Sequence, residues 1–245
     1  MTFLLLTLLM TAGGPGTPAP LPGDAEFALL EYDRAAASYD SAMAAASDSA
    51  QYLWRLARLY VCTGDMAGHD QKEEIYRKAV GYAERCIRTD SLVAQGHTWK
   101  AAALGNIAMF EGSKGKVRLC NEIKNELDRA LALDSLDDVA YSILGSFYLA
   151  LGKVGWIERQ LAAVFLGSLP EGGFDEAESA LRRAIAIAPG IVRHRFELGL
   201  VLKEEGRKEE AIAAFRAAAA LPTTVASDPR TKGIAQKLAK ELEQE

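Results

Sequence analysis

Large apolar residues recur along most of the chain at helical spacing, with small residues set between them. The pattern is clearest over residues 192–219, between Pro189 and Pro222. Leu198-Gly199, Gly206, Ala211, Phe215 and Ala218-Ala219 mark it out. This spacing predicts two antiparallel helices. Gly199 and Ala211 lack bulk where the helices cross, and Leu198 and Phe215 fill the space beside them. Gly206 can take φ > 0 and end the first helix. The two prolines stop the pair at either end.

Counted from Val192, the Leu-Gly pair falls at positions 7 and 8, Gly206 at 15, Ala211 at 20, Phe215 at 24 and Ala218 at 27. That spacing resembles the tetratricopeptide repeat (TPR), a unit of about 34 residues. The frame recurs upstream. Leu144-Gly145, Tyr148 and Gly152 continue it from Asp138, with a second helix over 174–188 carrying Ala177, Leu181 and Ala184. Asp175-Glu176 place acid in the first turn of that helix, as its dipole favours. Leu104-Gly105 and Gly112 fit a unit numbered from Thr98, paired with a helix over 116–133 that carries Ile123, Leu127 and Ala130. Trp54, Ala57 and Gly64 make a weaker unit, paired with 73–88. The expected fold is therefore all-α: a TPR-like α-solenoid of antiparallel helix pairs in a right-handed superhelix. Its units are about 51–90, 98–134, 138–189 and 192–222. An extra helix is inserted in the third unit at 153–172, and its apolar face is Trp156, Ile157, Leu161, Val164 and Phe165. Neighbour-only stacking needs capping helices, expected at about 25–46 and 228–243.

Composition agrees. Ala is the commonest of the 245 residues, with 42 copies, and no Pro occurs from Gly23 to Leu169. Ala is the best helix former and Pro the worst. The net charge is −5, from 28 Lys+Arg and 33 Asp+Glu, and a weakly acidic chain is a poor candidate for broad nucleic-acid binding, which needs a basic face. Three Cys exclude a disulfide scaffold. If the protein is exported, Cys62 and Cys86 fall on paired helices and could be bonded. Residues 1–23 read as a signal-like leader and tether: an apolar run over 3–10, then four prolines within 15–22. Export to a periplasmic or other extracytoplasmic space is the expectation, although no basic residue precedes Arg34. The alternative is a cytoplasmic protein.

The insertion carries a narrower resemblance. It reads Trp156-Ile157-Glu158-Arg159, then Phe165-Leu166-Gly167 and Pro170. His97-Thr98-Trp99-Lys100 and Glu111-Gly112 precede it, and Ala219, Leu221-Pro222 and Asp228 follow it. Over about residues 92–243 this resembles the regulator of microtubule dynamics family. The resemblance implies a TPR-like helical fold without a known active site. It also implies association with microtubules or membrane contacts in the eukaryotic members, and similar bacterial proteins carry the same helical domain. The short leader fits an exported bacterial member.

Residues that could carry chemistry are scattered. His69, His97 and His194 are far apart in sequence, none with a second metal ligand at suitable spacing. Gly112-Ser113-Lys114-Gly115-Lys116 lacks both the Ser/Thr and the preceding strand of a phosphate loop. No enzyme activity, cofactor or metal is expected. In a TPR stack the first helix of each pair lines the concave face. The frame puts Tyr52 and Arg55 there, then Trp99, Asn106 and Phe110, then Arg193, Phe196 and Lys203. Leu59, Cys62, Met109, Ser142, Ser146, Leu149 and Leu200 lie between them. Such a trough suits a protein or peptide partner, extended or helical, with an acidic end. The expected function is a non-catalytic interaction scaffold. A binder of an amphipathic small molecule or lipid, held in an apolar cavity, is the alternative.

Overall fold

In a computed structural model of the chain, residues 20–46, 49–165 and 167–244 are described. Residues 1–19 of the expected leader lie outside them, as do the side chains of Trp156, Ile157, Leu161 and Phe165 on the inserted helix. Among the described residues there are twelve α-helices, one short 3-10 turn and no strand. They are α1 (Asp24–Ala28), α2 (Tyr32–Ala46), α3 (Ala50–Met66), α4 (His69–Thr89), α5 (Ala94–Ile107), α6 (Ser113–Leu133), α7 (Asp138–Gly152), α8 (Trp156–Phe165), α9 (Phe174–Ile187), α10 (Val192–Glu204), α11 (Lys208–Ala220) and α12 (Asp228–Gln244).

The helices pack as pairs, α3/α4, α5/α6, α7/α9 and α10/α11, with α12 against α11. Glycine makes the closest crossings possible. A Cβ on Gly199 would lie 2.6 Å from the Phe215 ring, and one on Gly145 would collide with Leu181. In the first two pairs Ala57 and Ala101, both fully buried, take the same place. Each pair shares its core with its neighbours, in several successive clusters. This is the quasi-one-dimensional architecture of a solenoid.

The second unit differs from the expected frame. Its first helix begins at Ala94, four residues before Thr98. Asp90 Oδ1 accepts the Leu92 N–H at 2.9 Å and closes a tight turn, so the helix starts early. Gly105 is therefore exposed, with nothing within 4 Å of where its Cβ would be. The first unit starts at Ala50, one residue early, where the Ser49 hydroxyl accepts the Gln51 N–H. The leading helix expected over 25–46 is two helices, broken where Leu30 adopts φ 64. The tether joins the fold at Leu21, whose N–H donates to Asp24 Oδ2 at 2.8 Å.

Arg159 explains part of the insertion motif. Its guanidinium donates to the carbonyls of Leu151 (2.6 Å), Gly172 (3.1 Å), Val154 (3.4 Å) and Pro170 (3.4 Å). It ties the C-terminal end of α7 to the chain returning towards α9. Glu158 accepts the Gly155 N–H at 2.9 Å and caps α8. Arg159→Ala is expected to release residues 153–172, seen as faster hydrogen exchange there, at a cost of about 1–3 kcal/mol. Arg159→Lys should restore only part, because one ammonium lacks the planar fork that reaches both sides. Unchanged exchange in the Ala variant would refute this role.

Candidate partner-binding face

Successive first helices touch one another, α3 with α5, α5 with α7 and α7 with α10. No pair of second helices (α4, α6, α9, α11) has comparable contact among the described residues. The stack therefore curves with α3, α5, α7 and α10 on the inside. Its two ends approach each other. Arg193 on α10 lies 3.9 Å from Asp65 at the end of α3. The Ala226 N–H donates to the Tyr32 hydroxyl at 3.0 Å, joining the start of α2 to the segment before α12.

At the α3 end the inner face is covered by α1. Asp24 lies against two arginines of α3. Arg55 Nε donates to both its carboxylate oxygens, at 2.9 and 3.0 Å, and Arg58 Nη2 reaches Oδ1 at 3.5 Å. The Tyr39 hydroxyl adds a bond of 2.6 Å. Arg55 is also bonded to the Gln51 carbonyl at 3.0 Å. The Arg58 guanidinium stands 3.7 Å over the Phe27 ring, and that of Arg55 stands 4.2 Å over Trp54. Burial pushes the Asp24 carboxyl up, but the hydrogen bonds from Arg55, Tyr39 and the Leu21 N–H outweigh it and hold the group below its ordinary 3.8.

A carboxyl depressed in the folded state adds stability above its unfolded pKa and loses it as the pH falls through the folded value. The stability gap between the wild type and Asp24→Asn is thus expected to be full at neutral pH and to close as the pH falls below 3.8. Denaturant unfolding across that range checks it, and a pH-independent gap would refute it.

The expected groove residues are spread over three kinds of place. Tyr52 and Arg55 come together, but beneath the N-terminal helices: Arg55 is 2% exposed, and the Tyr52 ring lies 6.5 Å from that of Tyr39. Trp99 is half-buried between the first two units, against the cluster that holds Trp54 and Cys86 and the one that holds Val61 and Ala79. Phe110 packs on the core at the end of α5, its ring 5.6 Å from that of His69. Phe196 is part-buried, 5.9 Å from Phe215. Asn106 is half-buried, Arg193 is exposed beside Glu197, and Lys203 is exposed. Trp99 packs on the clusters of α3 and α4 and Phe110 on the core beyond the end of α5, whereas Phe196 packs on Phe215 of α11. Counting from Ala50 brings in Trp54 and Arg58 and keeps Cys62. Arg58 was hidden only by a one-residue offset.

The remaining candidate groups have structural partners. His97 Nδ1 pairs with Glu126 at 2.5 Å, and His194 Nε2 with Asp138 at 2.8 Å. All three Cys are free, so Cys62 and Cys86 are not bonded. Burial pushes the thiols of Cys62 and Cys86 up to about 12, which keeps them protonated. Residues 112–116 open α6 after a 3-10 turn, not a strand. A groove of about 340 Å³ between α4, α5 and α6 has Arg77, Glu84, Arg118 and Glu122 beside Val80 and Leu104, away from the inner face. Among the described residues no group of three His, Cys, Asp or Glu could hold a metal, and no helix is long and apolar enough to cross a membrane.

The model of the family Regulator of microtubule dynamics protein 1-3 matches residues 26–243, nearly the whole described solenoid. The chain belongs to the regulator of microtubule dynamics family. Regulator of microtubule dynamics protein 2 of Homo sapiens is 25% identical over 194 residues, 78% of this chain and 47% of that protein. Regulator of microtubule dynamics protein 1 of Bos taurus is 26% identical over 145 residues, 58% of this chain and 46% of that protein. This family member therefore spans about half the length of the curated relatives it matches. A thermophilic TPR protein of Thermus thermophilus has the same fold: TM-score 0.63, 18% identity, 88% of this chain and 94% of that one. The fold is thus an all-α, TPR-like solenoid, an architecture that suits protein–protein interaction.

Proposed function

We propose that this chain is a non-catalytic scaffold that holds a protein or peptide partner along the inner face formed by α3, α5, α7 and α10. The observation that supports this is α1: the face already holds a helical segment, through an arginine–carboxylate contact and an aromatic one. Beyond α1, counting each unit from its observed first residue assigns small side chains to the face: Ala102, Gly105, Ser146 and Ala150. They leave room for a partner helix, with exposed Arg193 and Lys203 as cations beside it. Acidic partners fit this face. The relatives' names make microtubules one partner to assay.

Gly105→Trp and Ser146→Trp fill that room without touching a core cluster. They are expected to weaken capture of a partner about tenfold or more, a difference of ~1.4 kcal/mol, while melting stays nearly unchanged. Affinity capture with mass spectrometry, run beside tubulin and lipid vesicles, checks this and the lipid alternative together. Undiminished capture by both folded variants would reject the inner face as the site. We further assign the leader to export. Cleavage before Leu21 is then expected in intact mass from the native host, since Leu21 belongs to the fold, and a full-length mass would count against it.

A further inference from the structure

The segment over Arg55 and Arg58 is attached differently from the rest of the solenoid. Helix α1 has five residues, and only Phe27 among them is buried. Leu29, which follows it, is 69% exposed. Leu30 then takes φ 64, a left-handed conformation that a branched side chain adopts only under strain. The α1–α2 corner is thus held in an unfavourable shape by what α1 docks onto. Every repeat pair, in contrast, is closed by interlocked core residues such as Leu181 and Phe215.

The docking surface has the form of a recognition site. Two guanidiniums from one turn of α3 converge on a carboxylate. One of them also covers an aromatic ring three residues further along the docked helix. Arg58 Nε is buried and lacks a hydrogen-bond partner, so the site has a donor that Asp24 does not use. The site lies on the inner face at the α3 end of the stack.

We propose that Trp54, Arg55 and Arg58 form a binding site for a helical peptide bearing an acidic residue three positions before an aromatic one, and that this chain's own Asp24-Ala25-Glu26-Phe27 keeps it closed. A partner segment with the same two groups displaces α1 and relaxes the Leu29–Leu30 corner. The inference rests on the scaffold reading above and adds to it the chemistry of the partner and the gate. An internal ligand competes at high effective concentration, so the apparent affinity for an external peptide falls by the fraction of molecules in which α1 is open.

The test uses the full chain and a fluorescein-labelled synthetic peptide of residues 20–31. The double variant Asp24→Ala/Phe27→Ala is expected to bind this peptide about tenfold or more tighter than the wild type does. Adding Arg58→Ala should abolish the gain, and a peptide with Asp24→Asn and Phe27→Ala should not bind. Equal binding by the wild type and the opened variant, or binding by neither, would overturn the site. Should the double variant fail to fold by circular dichroism, hydrogen exchange on the wild type decides. Amides of residues 24–31 should then open locally, and open more when excess peptide is added, while α3 stays protected. Exchange of 24–31 in step with α3 overturns the gate. Peptide binding by the opened variant beside undiminished partner capture by Gly105→Trp and Ser146→Trp would reject the scaffold reading alone, and lost capture in those variants with no peptide binding by the opened one would reject this site alone.

Discussion

Replacing Phe215 by Ala is expected to destabilise the protein by about 3–5 kcal/mol. The ring is fully buried between α10, α11 and α12, in one cluster with Leu198, Leu202 and Ala235. It packs so closely on Gly199 that a Cβ there would lie 2.6 Å from it. Rigid helices on either side cannot collapse into the space left, so the cavity term adds to the lost transfer energy. The same crossing predicts a change of sign between two glycines. Gly199→Ala forces Phe215 to move and should cost about 1–3 kcal/mol. Gly105→Ala, on the exposed face of α5, should stabilise by about 0.5–1 kcal/mol through helix propensity alone. Urea unfolding of the three variants is the check. A stabilised Gly199→Ala, or a Gly105→Ala as damaging as Gly199→Ala, would show that the repeat frame derived from the structure is wrong.

Arg55→Ala should remove about 2 kcal/mol from the docking of α1. It deletes both bonds to Asp24 and leaves a half-buried carboxylate with Tyr39, the Leu21 N–H and a longer contact to Arg58. The loss is bounded, because α1 can detach while the repeats stay folded. Arg55→Lys should recover less than half, since an ammonium cannot hold two carboxylate oxygens and the Gln51 carbonyl together. Hydrogen exchange of residues 24–31, read beside thermal melting, separates local release from global loss. Unperturbed exchange in Arg55→Ala would remove the arginine–carboxylate contact as the anchor of α1.

The candidate site was only partly legible in the sequence. Arg55 and Tyr52 stood out as residues of the first helix, but nothing in the pattern announced that Asp24 would cover them. That contact joins residues 31 apart and depends on the break at Leu30. Trp99 is an aromatic on a first helix, and only the packing of that helix on α3 and α4 shows that the ring faces the neighbouring unit.

What the sequence determined by itself is the repeat. Its local rules act within one helix pair: small residues at crossings, large ones beside them, prolines at the ends and an alanine-rich background. Those rules need no knowledge of distant contacts, so four units and an insertion could be read from residue types alone. What only the tertiary structure decided is the starting residue of the first two units and the closure of the inner face. Leu104-Gly105 imitates the crossing pair, yet Ala101 occupies that place, because the Asp90 turn begins α5 four residues early and a shift of four keeps nearly the same face of a helix. A periodic pattern cannot reveal such a shift. Only the packing of α5 against α3 and α6 distinguishes the two registers.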